Sequence, residues 1–146
     1  MSALLLSLTL LAQAAPAIRV DQAGYLDGAR KRAVVVADPP AVSFLVRSEA
    51  DGAVAFEGAL GPARLDPDTG DRAQWADFTP LSRSGRYRIE VPGVGESWPF
   101  EVGPGVYDRA LYLAMRSYYG QRCGTGVDLG PEFPGYSYAA CHRTGA

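Results

Sequence analysis

The chain has 146 residues, of which 47% are hydrophobic and 21% are charged. This composition is typical of a folded globular protein and excludes a disordered chain. The net charge is −2 and there is no basic or acidic block, so the sequence gives no reason to expect nucleic acid or an anionic membrane as a partner.

The first 17 residues, MSALLLSLTLLAQAAPA, form an apolar run that ends in small residues. Two A-x-A patterns predict signal-peptide cleavage after Ala14 or after Ala17. The run is too short to cross a bilayer, which takes about 20 apolar residues. We therefore expect residues 1–17 to be a signal peptide and the mature protein to be secreted or periplasmic, with no membrane attachment after cleavage. No Lys or Arg precedes Leu4, and the alternative is a misassigned start codon or a short buried segment.

Residues 18–102 consist of short β-type segments between turns rich in Gly, Pro and Asp. The clearest segment, at 85–91, alternates apolar with charged residues, as a half-buried strand does. Pro99 cannot donate a hydrogen bond to a neighbouring strand, so the last segment is expected at a sheet edge. About seven such segments predict an Ig-like β-sandwich that lacks the usual internal disulfide. The segments are IRV, RAVVVAD, VSFLVRS, AVAFEG, WADF, GRYRIEV and SWPFEV, and the side chains expected on their inner faces include Val42, Phe44, Val46, Tyr87, Ile89, Val91, Trp98, Phe100 and Val102.

After Gly103-Pro104-Gly105 the pattern changes, and VYDRALYLAMRSYYGQ (106–121) predicts a helix. Its apolar residues cover most sides, whereas a surface helix has one apolar stripe of about 100°. The helix is therefore expected to need neighbours on most sides. Residues 124–134 are rich in Gly and Pro and predict a loop. The segment after Val102 is too short to bury a core of its own, so the chain is expected to hold one complete domain and the beginning of another.

Three segments resemble the glycoside hydrolase family 9 cellulases that carry an N-terminal Ig-like domain. They are IRVDQAGY, GDRAQWADFTPLSRSGRYRIEV and LYLAMRSYYGQRCGTGVD followed by AACH. The resemblance implies a mainly β chain: an Ig-like domain at 18–102, then at 103–146 a linker and the first helix and loop of an (α/α)6 catalytic barrel. It also implies a secreted endoglucanase that hydrolyses β-1,4-glucan with inversion, with the Ig-like domain buttressing the barrel that binds the polysaccharide.

The catalytic motifs of that family are absent from this sequence. The family's base lies in an Asp-Ala-Gly-Asp motif and its acid is a Glu near the far end of the barrel. Inversion needs two carboxylates about 6.5–9.5 Å apart on either side of the scissile bond. We therefore expect no catalytic residue here, and a chain that is an N-terminal fragment, inactive by itself. The alternatives are a stand-alone exported glycan-binding module and part of a family 9 glucosaminidase.

Cys123, Cys141 and His142 are the candidate metal ligands. Export and a pair of cysteines favour a disulfide, which would contribute about 3 kcal/mol by closing this loop. The resemblance implies a different chemistry, because related cellulases hold a structural Zn²⁺ with two Cys and two His near the start of the barrel. The three residues match the first three ligands, and the fourth His would lie beyond Ala146, which leaves the site incomplete. Ser137 and His142 have no acid at a useful spacing and indicate no catalytic triad.

Two further features of the sequence each allow two interpretations. Residues 66–71, DPDTGD, place acids at alternate positions as a Ca²⁺ loop does, but lack the complete ligand spacing and equally predict a turn. Ca²⁺ therefore stays a candidate for the full-length enzyme only. Trp75 is out of phase with Phe78 on its strand, which predicts either burial against the rest of the enzyme or stacking on sugar.

Overall fold

The structure is a computed structural model that describes residues 17–142. The predicted signal peptide lies outside the described residues except for Ala17. The bounds of the elements in the sandwich are β1 Ile18–Arg19, β2 Arg32–Val36, β3 Ser43–Ser48, β4 Val54–Ala59, β5 Arg64–Leu65, β6 Arg72–Asp77, β7 Gly85–Val91, β8 Gly95–Glu96 and β9 Phe100–Val102.

These strands form two sheets that pack face to face. The first sheet has the order β1-β2-β6-β5, and the second has the order β4-β3-β7-β8, with β9 also paired to β7. Every strand pairing is antiparallel. This arrangement confirms the predicted mainly β, Ig-like sandwich, and all seven predicted segments contain a strand. The two-residue strands β5 and β8 were not predicted, because two residues are too few to show an alternation.

The core lies between the sheets and follows the predicted alternation where the strands are longest. Along β7, Tyr87, Ile89 and Val91 are at most 2% exposed, and Phe44 and Val46 of β3 are fully buried. Each such side chain contributes about 1.5–3 kcal/mol relative to an exposed one. The core residues that face one another across the sandwich are Ile18, Ala33, Val35, Ala76 and Phe78 from the first sheet, and Phe44, Val46, Tyr87, Ile89, Val91, Phe100 and Val102 from the second.

Two side chains predicted for the core are on the surface. Val42 is 81% exposed and Trp98 is 52% exposed. The reason is that β3 begins at Ser43 and β9 begins only at Phe100, after Pro99. Inward and outward alternation holds where the chain is pleated and paired, so it does not extend to residues just before a strand. The edge position of the last strand is confirmed, since β9 pairs with β7 and otherwise makes a single parallel bridge, Tyr25 to Val102.

Lys31, just before β2, is fully buried, with 0% of its surface exposed. Its Nζ donates hydrogen bonds to three backbone carbonyl oxygens, those of Leu26 at 3.2 Å, Asp27 at 2.6 Å and Ala29 at 2.8 Å. An ammonium has three N–H donors, so every donor has an acceptor. The loop before β2 is therefore folded around this one charged group.

Beyond the sandwich, the helix α1 runs from Asp108 to Gly120, shorter than the predicted 106–121. Gly120 is its only buried residue, while Leu111, Met115 and Tyr118 are each at least 60% exposed. The helix thus lacks neighbours for most of its apolar surface within the described residues. None of the helices in the described part of the chain is long and apolar enough to cross a membrane.

The segment predicted as a loop contains part of a β-hairpin. Strand β10, Val127–Asp128, pairs antiparallel with β11, Ser137–Tyr138. The residues between the two strands form turns, as the glycines and prolines predict. The prediction failed for β10 because pairing with a distant strand, which a local pattern does not show, makes an otherwise irregular stretch extended.

Candidate metal centre

The hairpin brings Cys123 and Cys141 together at its open end. The pairs Val127 with Tyr138 and Asp128 with Ser137 define its register. The same register continues outward, because the Gly124 N–H donates to the Cys141 carbonyl oxygen at 2.9 Å. Cysteines that are 18 positions apart in the chain therefore become neighbours through strand pairing (141 minus 123).

His142 reaches the same point because its backbone is left-handed. Adjacent residues of an extended strand point to opposite faces, so Cys141 and His142 would diverge if the strand continued. His142 instead has a φ of 51° and is the only described non-glycine residue with a positive φ. Histidine is among the residues that adopt this region more readily than most. The turn at His142 lets two consecutive side chains face one site.

The three ligand atoms, two Sγ and one imidazole nitrogen, lie within 4.8 Å of one another. Around a tetrahedral Zn²⁺, two ligand atoms are separated by about 3.5–3.8 Å, given Zn–S of about 2.3 Å and Zn–N of about 2.0–2.1 Å. Side-chain adjustments of about 1 Å would therefore suffice to place all three on one ion. Thiolate and imidazole are also the donor types that structural zinc sites use. The residues present fit a zinc ion, and among residues 17–142 they form the one Cys, His, Asp or Glu group gathered tightly enough to hold a metal.

The electrostatics of the two thiols differ. The pKa of the Cys141 thiol is lowered, first by a hydrogen bond with His142 and then by the backbone amide of Gly124. The pKa of Cys123 is raised, chiefly because its thiol hydrogen-bonds to Cys141. Negative charge is thus favoured on Cys141, the sulfur with more donors around it. Both cysteines are free thiols, Cys123 exposed and Cys141 partly buried.

Hydrogen bonds and packing hold the hairpin against helix α1. The Tyr138 hydroxyl donates to the carbonyl oxygen of Gly120 at 2.6 Å and lies 3.0 Å from that of Arg122. Val127 and Leu129 are buried at the contact. The sequence pattern does not single out the tyrosines of the hairpin, because their role depends on which element they face.

Gly120 is the point of closest approach between helix and hairpin. A Cβ at this position would lie 3.3 Å from the Tyr136 ring and 3.6 Å from a Leu129 methyl carbon. The first distance is tighter than most carbon contacts, so a side chain here would push the hairpin away from the helix. The glycine at the end of the helix thus serves the docking of the hairpin.

The remaining sequence candidates lie outside this group of three ligands. In the segment 66–71, Asp66 Oδ1 accepts the amide of Asp68 at 3.0 Å, and its backbone pairs with Asp71, which gives the predicted turn. Ser137 lies in β11 and is exposed. Trp75 is 52% exposed on the outer face of the first sheet, with the Arg32 guanidinium 5.8 Å from its ring centre.

Comparison with known proteins identifies the sandwich. The profile of the cellulase N-terminal Ig-like domain family matches residues 13–96. This chain belongs to that family. Its cellulase-type Ig-like domain therefore accounts for the strands β1 to β8, and the match ends just before β9.

The similarity to individual cellulases extends beyond the Ig-like domain. Endoglucanase D from Acetivibrio thermocellus is 33% identical over 129 residues, which are 88% of this chain and 20% of that protein. A cellodextrinase from Butyrivibrio fibrisolvens is 32% identical over 130 residues, 88% of this chain and 23% of that protein. The chain thus spans about a fifth of the length of the curated relatives it matches.

Solved structures of family 9 enzymes have the same fold. A metagenome-derived glycoside hydrolase family 9 endoglucanase is 38% identical with a TM-score of 0.64, over 84% of this chain and 24% of that one. A zinc-binding triple mutant of a family 9 endoglucanase is 36% identical with a TM-score of 0.67, over 80% of this chain and 21% of that one. That mutant is a zinc-binding protein.

Proposed function

We propose that this chain is the non-catalytic beginning of a secreted, inverting β-1,4-glucan hydrolase, and that its Ig-like sandwich buttresses the helical catalytic domain. The observation that carries the proposal is the junction between the two parts, which is fixed to the sandwich. Similarity to named endoglucanases over most of this chain supports the enzyme class. The signal-like segment at 1–17 supports export.

The junction is the segment 101–107, which connects the sandwich to helix α1. Hydrogen bonds attach this segment to the loop that contains Gly24 and Tyr25. The amide of Tyr25 donates to the Glu101 carbonyl at 2.8 Å, and the amide of Gly103 donates to the Tyr25 carbonyl at 3.0 Å. The Tyr107 hydroxyl, just before helix α1, donates to the Gly24 carbonyl at 2.8 Å. A side chain at Gly24 would lie 2.8 Å from the Glu101 carbonyl oxygen, so glycine is required there. The direction in which α1 leaves the sandwich is thereby set.

The rest of the enzyme is proposed to pack against the exposed apolar face of helix α1. Leu111, Met115 and Tyr118 offer an apolar face at least 60% exposed. The buried Nε of Arg116 has no hydrogen-bond acceptor among the described residues. Buried donors in native proteins are nearly always paired, so this nitrogen calls for an acceptor from a further segment. The catalytic carboxylates would belong to that segment.

The buttressing proposal is tested at Tyr107. Tyr107→Phe removes the hydrogen bond to Gly24 and should free the start of α1 at a cost of about 1 kcal/mol. Because proteolysis follows the population of the opened state, trypsin should cleave after Arg109 and Arg116 about fivefold faster. Tyr118→Phe, at a side chain that is 72% exposed, is the matched control. Equal cleavage rates for both variants and the wild type would show that Tyr107 does not hold the helix.

We further propose that Cys123, Cys141 and His142 bind a structural Zn²⁺. When bound, the ion would link the chain just after α1 to the far end of the hairpin; the thiolates and the imidazole would hold it. Protons compete for these donors, so binding should weaken as pH falls. Equilibrium dialysis of the chain at pH 7.5 and 5.5 measures this, with His142→Ala as the weakened site. Binding that is equal at the two pH values, or unchanged by His142→Ala, would refute the assignment.

The catalytic part of the proposal has its own test. If the chain opens a family 9 enzyme, the gene should continue in frame past Ala146 into a segment with an Asp-Ala-Gly-Asp motif. Sequencing of the transcript decides this. A stop codon directly after Ala146 would leave the Ig-like domain without a catalytic partner on its own chain.

One observation favours a second candidate function, a glycan-binding module. Trp75 is exposed on the outer face of the first sheet beside the Arg32–Asp77 ion pair, and an apolar ring next to polar groups suits a pyranose. In a pull-down with insoluble cellulose, retention lost in Trp75→Ala but kept in Trp98→Ala would support it. Trp98 is equally exposed and lies outside the strands, which makes it the matched control.

A further inference from the structure

The two sulfurs of the metal centre are also placed to react with each other. Both cysteines are free, and their Sγ atoms lie within 4.8 Å. A disulfide brings two sulfurs to about 2.05 Å, so a relative movement of at most about 3 Å separates the thiols from bond formation. Cys123 is exposed and precedes Gly124, in a stretch outside the helix and the strands, so the movement meets little resistance.

We propose that Cys123 and Cys141 form a dithiol redox site that closes as an intrachain disulfide whenever no metal holds the two sulfurs. In this step both S–H bonds break and one S–S bond forms, so the pair loses two electrons and two protons. A low-molecular-weight disulfide accepts them: its own S–S bond breaks and it leaves as two thiols.

The fold favours this closure over separate modification of each cysteine. Pairing of β10 with β11 and the Gly124 to Cys141 hydrogen bond already hold the ends of the hairpin together. The entropy of closing the loop is therefore lost on folding, before the thiols react. Once one sulfur carries a mixed disulfide, the other attacks it as an intramolecular nucleophile, which is far faster than a second encounter in solution.

Metal and disulfide exclude each other, because a disulfide has no thiolate to donate. This exclusion rests on the zinc site proposed above, whereas formation of the disulfide does not. Under oxidising conditions a chain that has not taken up metal would be trapped in the disulfide form and would accept Zn²⁺ only after reduction.

The test uses the full 146-residue chain, reduced, stripped of metal with a chelator and exposed to oxidised glutathione. We expect the intact mass to fall by about 2 Da, with loss of both reactive thiols. The single-thiol variants Cys123→Ser and Cys141→Ser should instead each gain about 305 Da, one glutathione. Two glutathione adducts on the wild type, or two thiols that stay reactive, would overturn the proposal.

A second arm separates this inference from the metal assignment. With Zn²⁺ at about 100 times its Kd, about 1% of sites are free, so the disulfide should form about 100-fold more slowly. His142→Asn keeps both thiols and should lose that protection. A disulfide that forms equally fast with and without Zn²⁺ would overturn the metal site and uphold the redox site. Zinc binding by a chain that never forms the disulfide would do the reverse.

Discussion

At the scale of single residues, the buried ammonium of Lys31 has a hydrogen-bond acceptor for each of its donors. Lys31 is the only lysine in the sequence, and it is buried with three carbonyl acceptors. Burial of a charged group costs several kcal/mol unless its donors are satisfied. The loop at 26–31 supplies those acceptors from its own backbone, so the lysine and the loop depend on each other.

Replacement of Lys31 tests this dependence. In Lys31→Met the apolar stem is kept while three carbonyl groups lose the buried ammonium as their donor, so the free energy of unfolding should fall by about 3 kcal/mol. Urea unfolding followed by tryptophan fluorescence measures the change. The control is Arg30→Met, at an exposed neighbouring cation, which should stay within about 0.5 kcal/mol of the wild type. Equal stability of the two variants would contradict the structural role of Lys31.

Asp77 makes stability depend on pH in the acid range. Its pKa is lowered to about 2, chiefly by a hydrogen bond from Thr79 and then by one from Arg32. An Asp in the unfolded chain has a pKa of about 3.9, so the ionised form is favoured by folding. The contribution is complete above about pH 4 and is lost as the pH falls from about 4 towards about 2. The side chain is 43% exposed, so water and salt weaken the effect.

Asp77→Asn isolates this contribution. The amide keeps an acceptor for the Thr79 backbone but cannot ionise, so the variant should be less stable than the wild type at pH 7 and about equally stable near pH 2. Urea midpoints at pH 7, 4 and 2 give the comparison. Asp68→Asn, on an exposed turn, provides the reference. A stability difference that persists unchanged to pH 2 would show that charge is not its cause.

At the scale of elements, the sandwich and the helix differ in how much they bury. Strand β7 pairs with β3 on one side and with β8 and β9 on the other, and its inward side chains are buried. Helix α1 buries only Gly120. A helix of this length is marginal in water by itself, since most helical stability comes from packing of an apolar face.

Amide hydrogen exchange should therefore be much slower in the sandwich than in helix α1. Amides of β7, at 85–91, are expected to exchange only on global unfolding, and those of α1 to exchange through local opening that is far less costly. Exchange at single-residue resolution by NMR or mass spectrometry measures both. If the amides of 108–120 were as protected as those of 85–91, the helix would not depend on further partners.

At the scale of the whole molecule, residues 17–142 hold a complete sandwich and a helix with a docked hairpin. The sandwich has the full set of Ig-like strands and a closed core. The helix and hairpin offer apolar surface and a group of three metal-type ligands. The chain spans about a fifth of its endoglucanase relatives, so their activity is expected of a larger molecule.

The chain by itself should therefore not hydrolyse glucan. No pair of carboxylates in an Asp-Ala-Gly-Asp context is present, and inversion needs two acids placed across the scissile bond. Release of reducing sugar from carboxymethyl-cellulose, and of chromophore from a chromogenic cellobioside, should equal that of a heat-treated control. Turnover above this control that is retained through purification would disprove the expectation.

The sequence by itself determined the class of fold and named the candidate metal ligands. Alternation along 85–91 identified the inward residues of β7, because a strand buried on one face must repeat with a period of two. Helix α1 was predicted because its apolar residues recur with a helical period, whereas those of the preceding strands alternate. Cys123, Cys141 and His142 are the only cysteines and the only histidine, and the resemblance to family 9 cellulases added the expectation that they bind zinc.

The tertiary structure decided the features that depend on contacts between residues distant in the sequence. Val42 and Trp98 lie on the surface because the sheets begin one or two residues later, and the limits of a strand are set by pairing. The turn at His142, the docking of Tyr138 on Gly120 and the acceptors around Lys31 each join groups whose proximity no local pattern encodes. The sequence could thus name the residues of the site, whereas only the register of the hairpin shows that their side chains meet, since strand pairing alone fixes which distant residues become neighbours.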